Sequence, residues 1–129
     1  MILDTSFIID LLKNKTPALI KAHLLEKSSI AVRTTTISVF ELWQGVEDIQ
    51  DDNKRELIEK FLSSVGLLSL DIESAKIAGT MYNELERKGE IIETEDCMIA
   101  GIAKYHHDAV LTRNIKHFER IKGIKIETY

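Results

Sequence analysis

MILDTSFIIDLL, residues 1–12, changes its hydrophobic pattern within four positions. Met1-Ile2-Leu3 is a short apolar run stopped by Asp4, and Thr5 or Ser6 is placed to cap an apolar helix over 7–12. A strand that turns at once into a helix is the opening unit of an α/β fold. The same transition recurs downstream. A buried strand is predicted over 29–33, followed by Ser38-Val39-Phe40-Glu41, a capping-box pattern that opens a helix through about residue 46.

Between and beyond these units the chain alternates in the same way. Pro17 behind Thr16 reads as N1 behind an N-cap, starting a helix over about 16–27. An amphipathic helix covers 51–64, and a short strand 67–70 follows Gly66. Asp71 caps a long helix whose stripe is Ala75, Ala78, Tyr82 and Leu85 and which ends at Gly89. Thr94 caps the next, apolar nearly all round from Cys97 to Ala103 and therefore expected to be buried. A strand at 109–112, a short helix at 115–121 and a last strand at 124–128 complete the order. Short apolar strands alternating with helices predict a three-layer α/β/α architecture around a central parallel sheet.

Composition sets the outer bounds. A chain of 129 residues, 44% hydrophobic and 29% charged, is one globular domain spanning 1–129 rather than a tail or linker. No run approaches the roughly 18 apolar residues of a membrane span, and acids at Asp4 and Asp10 replace the positive start of a signal peptide. The single cysteine, Cys97, has no partner for a disulfide and suits a reducing, cytoplasmic setting. It also lacks a nearby His, which argues against a thiol nucleophile. Net charge is −4, so binding a polyanion needs a local device. Residues 83–96 hold six acids and two bases, whereas 113–125 hold five bases and one acid. Among the latter, Arg113, Lys116, Arg120, Lys122 and Lys125 form either a solvated face or a strip suited to phosphates.

In an open α/β sheet ligands bind beyond the carboxyl ends of the strands. Asp4 ends the first strand, Glu41 falls in the first helical turn after the second, and Asn114 follows the fourth, with His117 one turn on. Asp96 opens the buried helix and is expected at the same rim. Each has an ordinary explanation by itself: Asp4 as a cap, Glu41 as the closing member of Ser38-x-x-Glu41, Asp96 as a favourable charge at a helix start. Together they form a set of like charges that stays ionised only beside a cation. All-oxygen ligands favour Mg²⁺ or Mn²⁺, and an ion held by Asp4, Glu41 and Asp96 would engage a phosphodiester and activate water. His106-His107-Asp108 precedes the fourth strand and reads as a loop at the opposite edge. His23, Phe40 and Trp43 read as packing or interface residues.

The ordered set resembles the PIN-domain ribonucleases, and within them the VapC-type toxins of prokaryotic toxin–antitoxin pairs. MILDTSFIIDLL is similar to the family's opening strand with its first metal-binding Asp, on Asp4, followed by Thr5 and Ser6. TTISVFELWQG resembles the second motif and places its acid on Glu41, while IIETEDCMIAGIAKYHHDAVLTRN resembles the third, on Asp96, through the Thr-Arg-Asn strand end. A departure stands where the family often has a fourth acid, since this chain has Asn114 and His117. The resemblance implies metal-dependent endonucleolytic cleavage of RNA, a separate VapB-type antitoxin and a homodimer. Thr5, Ser6, Asn114, His117, Arg113 and Lys116 are then expected around ligand or substrate. Two other readings compete: an inactive PIN-like module that binds RNA or a partner, and a phospho-acceptor signalling domain, which lacks here the paired acids and the Lys it needs.

Overall fold

A computed structural model describes residues 1–49 and 52–129, with 47–49 described through the backbone only. The strands are β1 (Ile2–Leu3), β2 (Arg33–Thr35), β3 (Gly66–Leu68), β4 (Ala109–Leu111) and β5 (Lys125–Glu127). They form one parallel sheet in the order β3-β2-β1-β4-β5. Seven helices among the described residues cover it: α1 (Thr5–Leu12), α2 (Thr16–Glu26), α3 (Thr36–Ile49), α4 (Asp52–Ser64), α5 (Ile72–Arg87), α6 (Thr94–Tyr105) and α7 (Ile115–Phe118).

Alternation along the central strands assigns the two faces. Ile2 and Val110 pack with Met81, Leu85, Ile99, Ile102 and Phe118 of α5, α6 and α7. Leu3 and Leu111 pack with Phe7, Ile8, Leu25, Leu42 and Ile58 of α1 to α4. Full burial of each such side chain contributes about 1.5–3 kcal/mol, so both helical layers are held by comparable cores. A close approach locks α6 against α5. A Cβ on Gly101 would lie 2.6 Å from the Ser74 carbonyl oxygen and 2.8 Å from Ala78 Cβ. Gly89, at φ 70°, makes the left-handed turn that stops α5.

The strand-helix alternation is as predicted, and several boundaries move for identifiable reasons. The second strand is Arg33–Thr35 rather than 29–33. Ser28 accepts from Ile30 N in a local turn, and the pairing register sets Arg33 opposite Ile2. Thr34 is buried because its hydroxyl donates to the Leu3 carbonyl, so a polar residue occupies a position where an apolar one was sought. The capping box Ser38–Glu41 does not form: α3 begins two residues earlier, and Thr35 Oγ1 accepts from Ser38 N. Asp4 itself caps α1, accepting from Ser6 N at 3.4 Å, so Thr5 and Ser6 are helical. Lys15 precedes α2, placing Thr16 inside the helix, and Glu93 rather than Thr94 precedes α6.

The buried stripe of α5 is Ser74, Ala78, Met81 and Leu85, leaving Ala75 and Tyr82 exposed. The α7 helix ends at Phe118, short of 121. Position 51, the first of the helix predicted over 51–64, lies outside the described residues. His23 and Phe40 are exposed, which leaves the interface reading and removes the packing one.

Candidate active site

The strand order reverses at β1, with β2 on one side and β4 on the other, and that switch point opens a crevice at the carboxyl ends of these strands. Asp4 leaves β1 there and is 2% exposed. Its Oδ2 accepts from Ser6 Oγ at 2.6 Å and from Thr112 Oγ1 at 2.7 Å, while Asp4 N donates to the Leu111 carbonyl. Charge-assisted bonds of this length fix one carboxylate oxygen and leave the other open. Thr112 also accepts from Asn114 N at 2.9 Å, so one hydroxyl joins the ends of β1 and β4. Sequence reading reaches Thr112 only as part of the Thr-Arg-Asn strand end and gives it no role in the site. Its signal was its place directly after an apolar strand.

Glu41 approaches from the second turn of α3. Its Oε1 accepts from Thr5 Oγ1 at 2.8 Å, which brings the second acid beside the first. Burial raises the Glu41 carboxyl to about 7, and the charges of Asp4, Asp96 and Glu95 add to the rise against the opposing bond from Thr5. Asp96 lies in the first turn of α6 and is 7% exposed. Burial and the Asp4 charge hold its carboxyl above the usual range, although His117 acts the other way. His117 Nδ1 is 2.8 Å from Asp96 Oδ2.

Four acids, Asp4, Glu41, Glu95 and Asp96, thus share one rim, close enough for their charges to act on Glu41. Their chemistry, all hard oxygen donors in excess negative charge, fits a divalent cation. The side chains do not stand as a finished cage. No group of three or more His, Cys, Asp or Glu among the described residues is arranged to hold an ion as it stands. Thr5 and His117 occupy oxygens of Glu41 and Asp96 instead.

The remaining expected residues fall around this rim in different ways. Asn114 precedes α7 without a side-chain capping bond, and Lys116 is exposed one residue before His117. Arg113 is committed elsewhere. Its Nη1 donates to both Asp10 oxygens at 2.6 and 2.7 Å, and Tyr129 OH donates to Asp10 Oδ2 at 2.9 Å. Arg113 N donates to Ser6 Oγ, so the pair braces α1 against the end of β4. Neither Asp10 nor Tyr129 was read from sequence as part of the site's support. Cys97, beside Asp96, is buried and its thiol is pushed up to about 11 by burial, which leaves it protonated and inert at neutral pH. His106-His107-Asp108 lies at the opposite edge, as expected.

A parallel α/β domain with carboxylates gathered at its switch point is the class that fold and site define. The PIN domain family matches residues 1–124. Over 128 residues the chain is 34% identical to a tRNA(fMet)-specific endonuclease VapC of Salmonella typhimurium, covering 98% of this chain and 96% of that one. It is 31% identical over 132 residues to a Ribonuclease VapC1 of Rickettsia felis, covering 99% and 95%. The DNA-bound VapBC structure of Salmonella typhimurium superposes with TM-score 0.87 at 34% identity, covering 98% and 96% of the two chains. The chain belongs to the PIN-domain family, in its VapC branch.

Proposed function

We propose that this protein is a metal-dependent endoribonuclease, the toxin of a toxin–antitoxin pair, in which Asp4, Glu41 and Asp96 hold Mg²⁺ or Mn²⁺. The observation that carries this reading is the gathering of buried Asp4 and Asp96 and half-buried Glu41 at one strand-end rim, where burial and the neighbouring carboxylates raise Glu41 to about 7. When bound, such an ion supplies positive charge to a scissile phosphate and makes water a stronger acid. The protein's own groups do the rest. Thr112 and Ser6 hold Asp4 in one orientation, Thr5 holds Glu41, and His117 holds Asp96 until ligand competes for it. Asn114 and Lys116 stand where substrate phosphates would pass.

Relatives named as ribonucleases, one of them as specific for tRNA(fMet), support RNA as the substrate. Solved relatives are VapBC complexes, which supports a separate VapB-type antitoxin as the neutralising partner. We assign the protein to the cytoplasm and to a homodimer, which light scattering of the purified chain tests. Among the described residues no helix is long and apolar enough to cross a membrane.

The deciding experiment incubates antitoxin-free protein with initiator tRNA in Mg²⁺, in Mn²⁺ and in EDTA, beside Asp96→Asn. Discrete fragments that need metal and disappear in the variant are expected. The second reading, an inactive RNA-binding module, draws on the His117–Asp96 contact and predicts RNA binding without fragments in any metal.

A further inference from the structure

A second concavity is lined by α5, by Lys104 of α6 and by residues 120–122 that follow α7. Its volume is about 250 Å³, and Lys76, Lys88, Lys104, Arg120 and Lys122 stand on its walls with Glu84 as its one acid. The cleft therefore carries a net charge of +4 in a chain whose total is −4. Its floor is apolar, formed by Met81, Leu85 and Ile121, all buried, with Ile77 beside them.

The sorting of charge is the informative part. Residues 83–96 contain six acids, yet only Glu84 of them lines the cleft, together with Lys88 of the same run. Lys88, Lys104 and Lys122 form no ion pair among the described residues. Lys76 reaches Glu73 at 3.3 Å on the open surface, and Arg120 donates to the Ile91 carbonyl at 2.9 Å. Five cations facing one acid make a positive surface, whereas an ordinary solvated surface intersperses both signs. A polyanion matches such a surface.

The cleft is also elongated. Lys76 and Lys88, twelve residues apart, are separated by roughly 18 Å along the α5 axis, which suits a run of phosphates rather than one small anion. His117, beside Asp96, and Arg120, on the cleft wall, are three residues apart in sequence. One short stretch of chain therefore supplies both a contact at the acidic rim and a wall of the cleft. Lysine ammonium groups on flexible stems act as point charges toward phosphate and read no sequence.

We infer that this basic cleft is an RNA-binding exosite that holds the sugar-phosphate backbone of the substrate away from the cleavage point. The inference rests on the ribonuclease reading above, and it explains how a net-acidic domain retains a polyanion. Short RNAs that cover only the rim gain nothing from it, whereas long folded RNAs do.

The test uses the full chain and a double reversal, Lys88→Glu with Lys122→Glu, both at exposed positions, with circular dichroism as the folding control. Cleavage of initiator tRNA and of a short oligonucleotide spanning the cut site is compared. The expected result is a KM for the tRNA raised about 10-fold, kcat unchanged, and oligonucleotide cleavage unaltered. In the Asp96→Asn background, binding of the tRNA weakens similarly, and its salt slope falls by about 2 in the double variant.

Equal KM for parent and variant on the tRNA overturns the exosite while leaving the ribonuclease reading intact. Unchanged tRNA kinetics with weakened capture of the antitoxin overturns it in favour of an acidic protein partner. A parent protein that neither cuts nor binds RNA overturns both readings. Lys76→Glu with Lys104→Glu, the other two lysines of the cleft, repeats the comparison should the first variant misfold.

Discussion

Asp108, at the amino edge of the sheet, and the Glu41–Asp96 pair, at the carboxyl edge, are acids in comparable enclosure with opposite surroundings. Asp108 faces the N-terminal amine at 2.7 Å and Arg33 Nη2 at 2.6 Å, and its own backbone neighbour Ala109 N donates at 2.8 Å. Burial alone would raise its carboxyl, but these partners outweigh it and hold it below the usual range. Glu41 and Asp96 have hydroxyl and imidazole neighbours and further carboxylates, and both are raised. The contrast separates two uses of a buried acid. A carboxylate whose charge is matched inside the fold joins elements, and one whose charge is left unmatched is pushed toward its protonated form unless a cation joins it. Asp10, bonded by Arg113 and Tyr129, belongs to the first kind although it lies near the second.

Substitutions at the unmatched end should act on catalysis. Asp4→Asn or Asp96→Asn is expected to lower RNA cleavage by roughly 10²–10⁴-fold, measured as initial rate in Mg²⁺, with the fold retained. If either variant cleaves at the parental rate, the contrast between the two edges has no functional content. Thr112→Val removes the bond to Asp4 and the acceptor for Asn114 N while preserving shape. A loss of about 10–100-fold in rate with little change in KM is the outcome for a group that orients a ligand.

At the matched end the effect should be on stability alone. Asp108→Asn replaces the acceptor of Arg33 and the amine by an amide, and a loss of about 2 kcal/mol in a urea titration is expected, with the cleavage rate per folded molecule unchanged.

The smallest effect sharpens the comparison through pH. Glu41 in the fold has a value of about 7 against an ordinary 4.5, so the folded state binds more protons in that interval. The stability this group contributes is complete below about 4.5 and is lost as pH rises through about 7. Without divalent ions Glu41→Gln should therefore melt roughly 3 °C above the parent at pH 8 and level with it near pH 4.5. Mg²⁺ should close the gap at pH 8 by stabilising only the parent. A gap independent of pH would mean that Glu41 is not strained by charge.

Much of this arrangement was legible in the chain because strand ends are marked by apolar runs that stop at polar residues. Asp4 is legible that way, Glu41 and Asp96 from the helix starts that follow a strand or open a buried helix, and the structure brings the three to one rim. The support behind them was less visible. Thr112, Asp10 and Tyr129 act across 103 to 119 residues of sequence, and no local pattern reports a bond over such a separation. Glu41 shows the reverse problem. Its spacing from Ser38 matched a cap, and only the earlier start of α3, set by Thr35, frees it to meet Thr5.

Hydrophobic period and capping chemistry are properties of a few consecutive residues, so the sequence by itself determined the α/β class, the parallel sheet and the rim on which the acids stand. Strand order, register and charge environment depend on which distant segments pack together. The tertiary structure alone therefore decided that β1 sits between β2 and β4, that Asp108 is neutralised while Glu41 is not, and that five cations from three separate segments line one cleft.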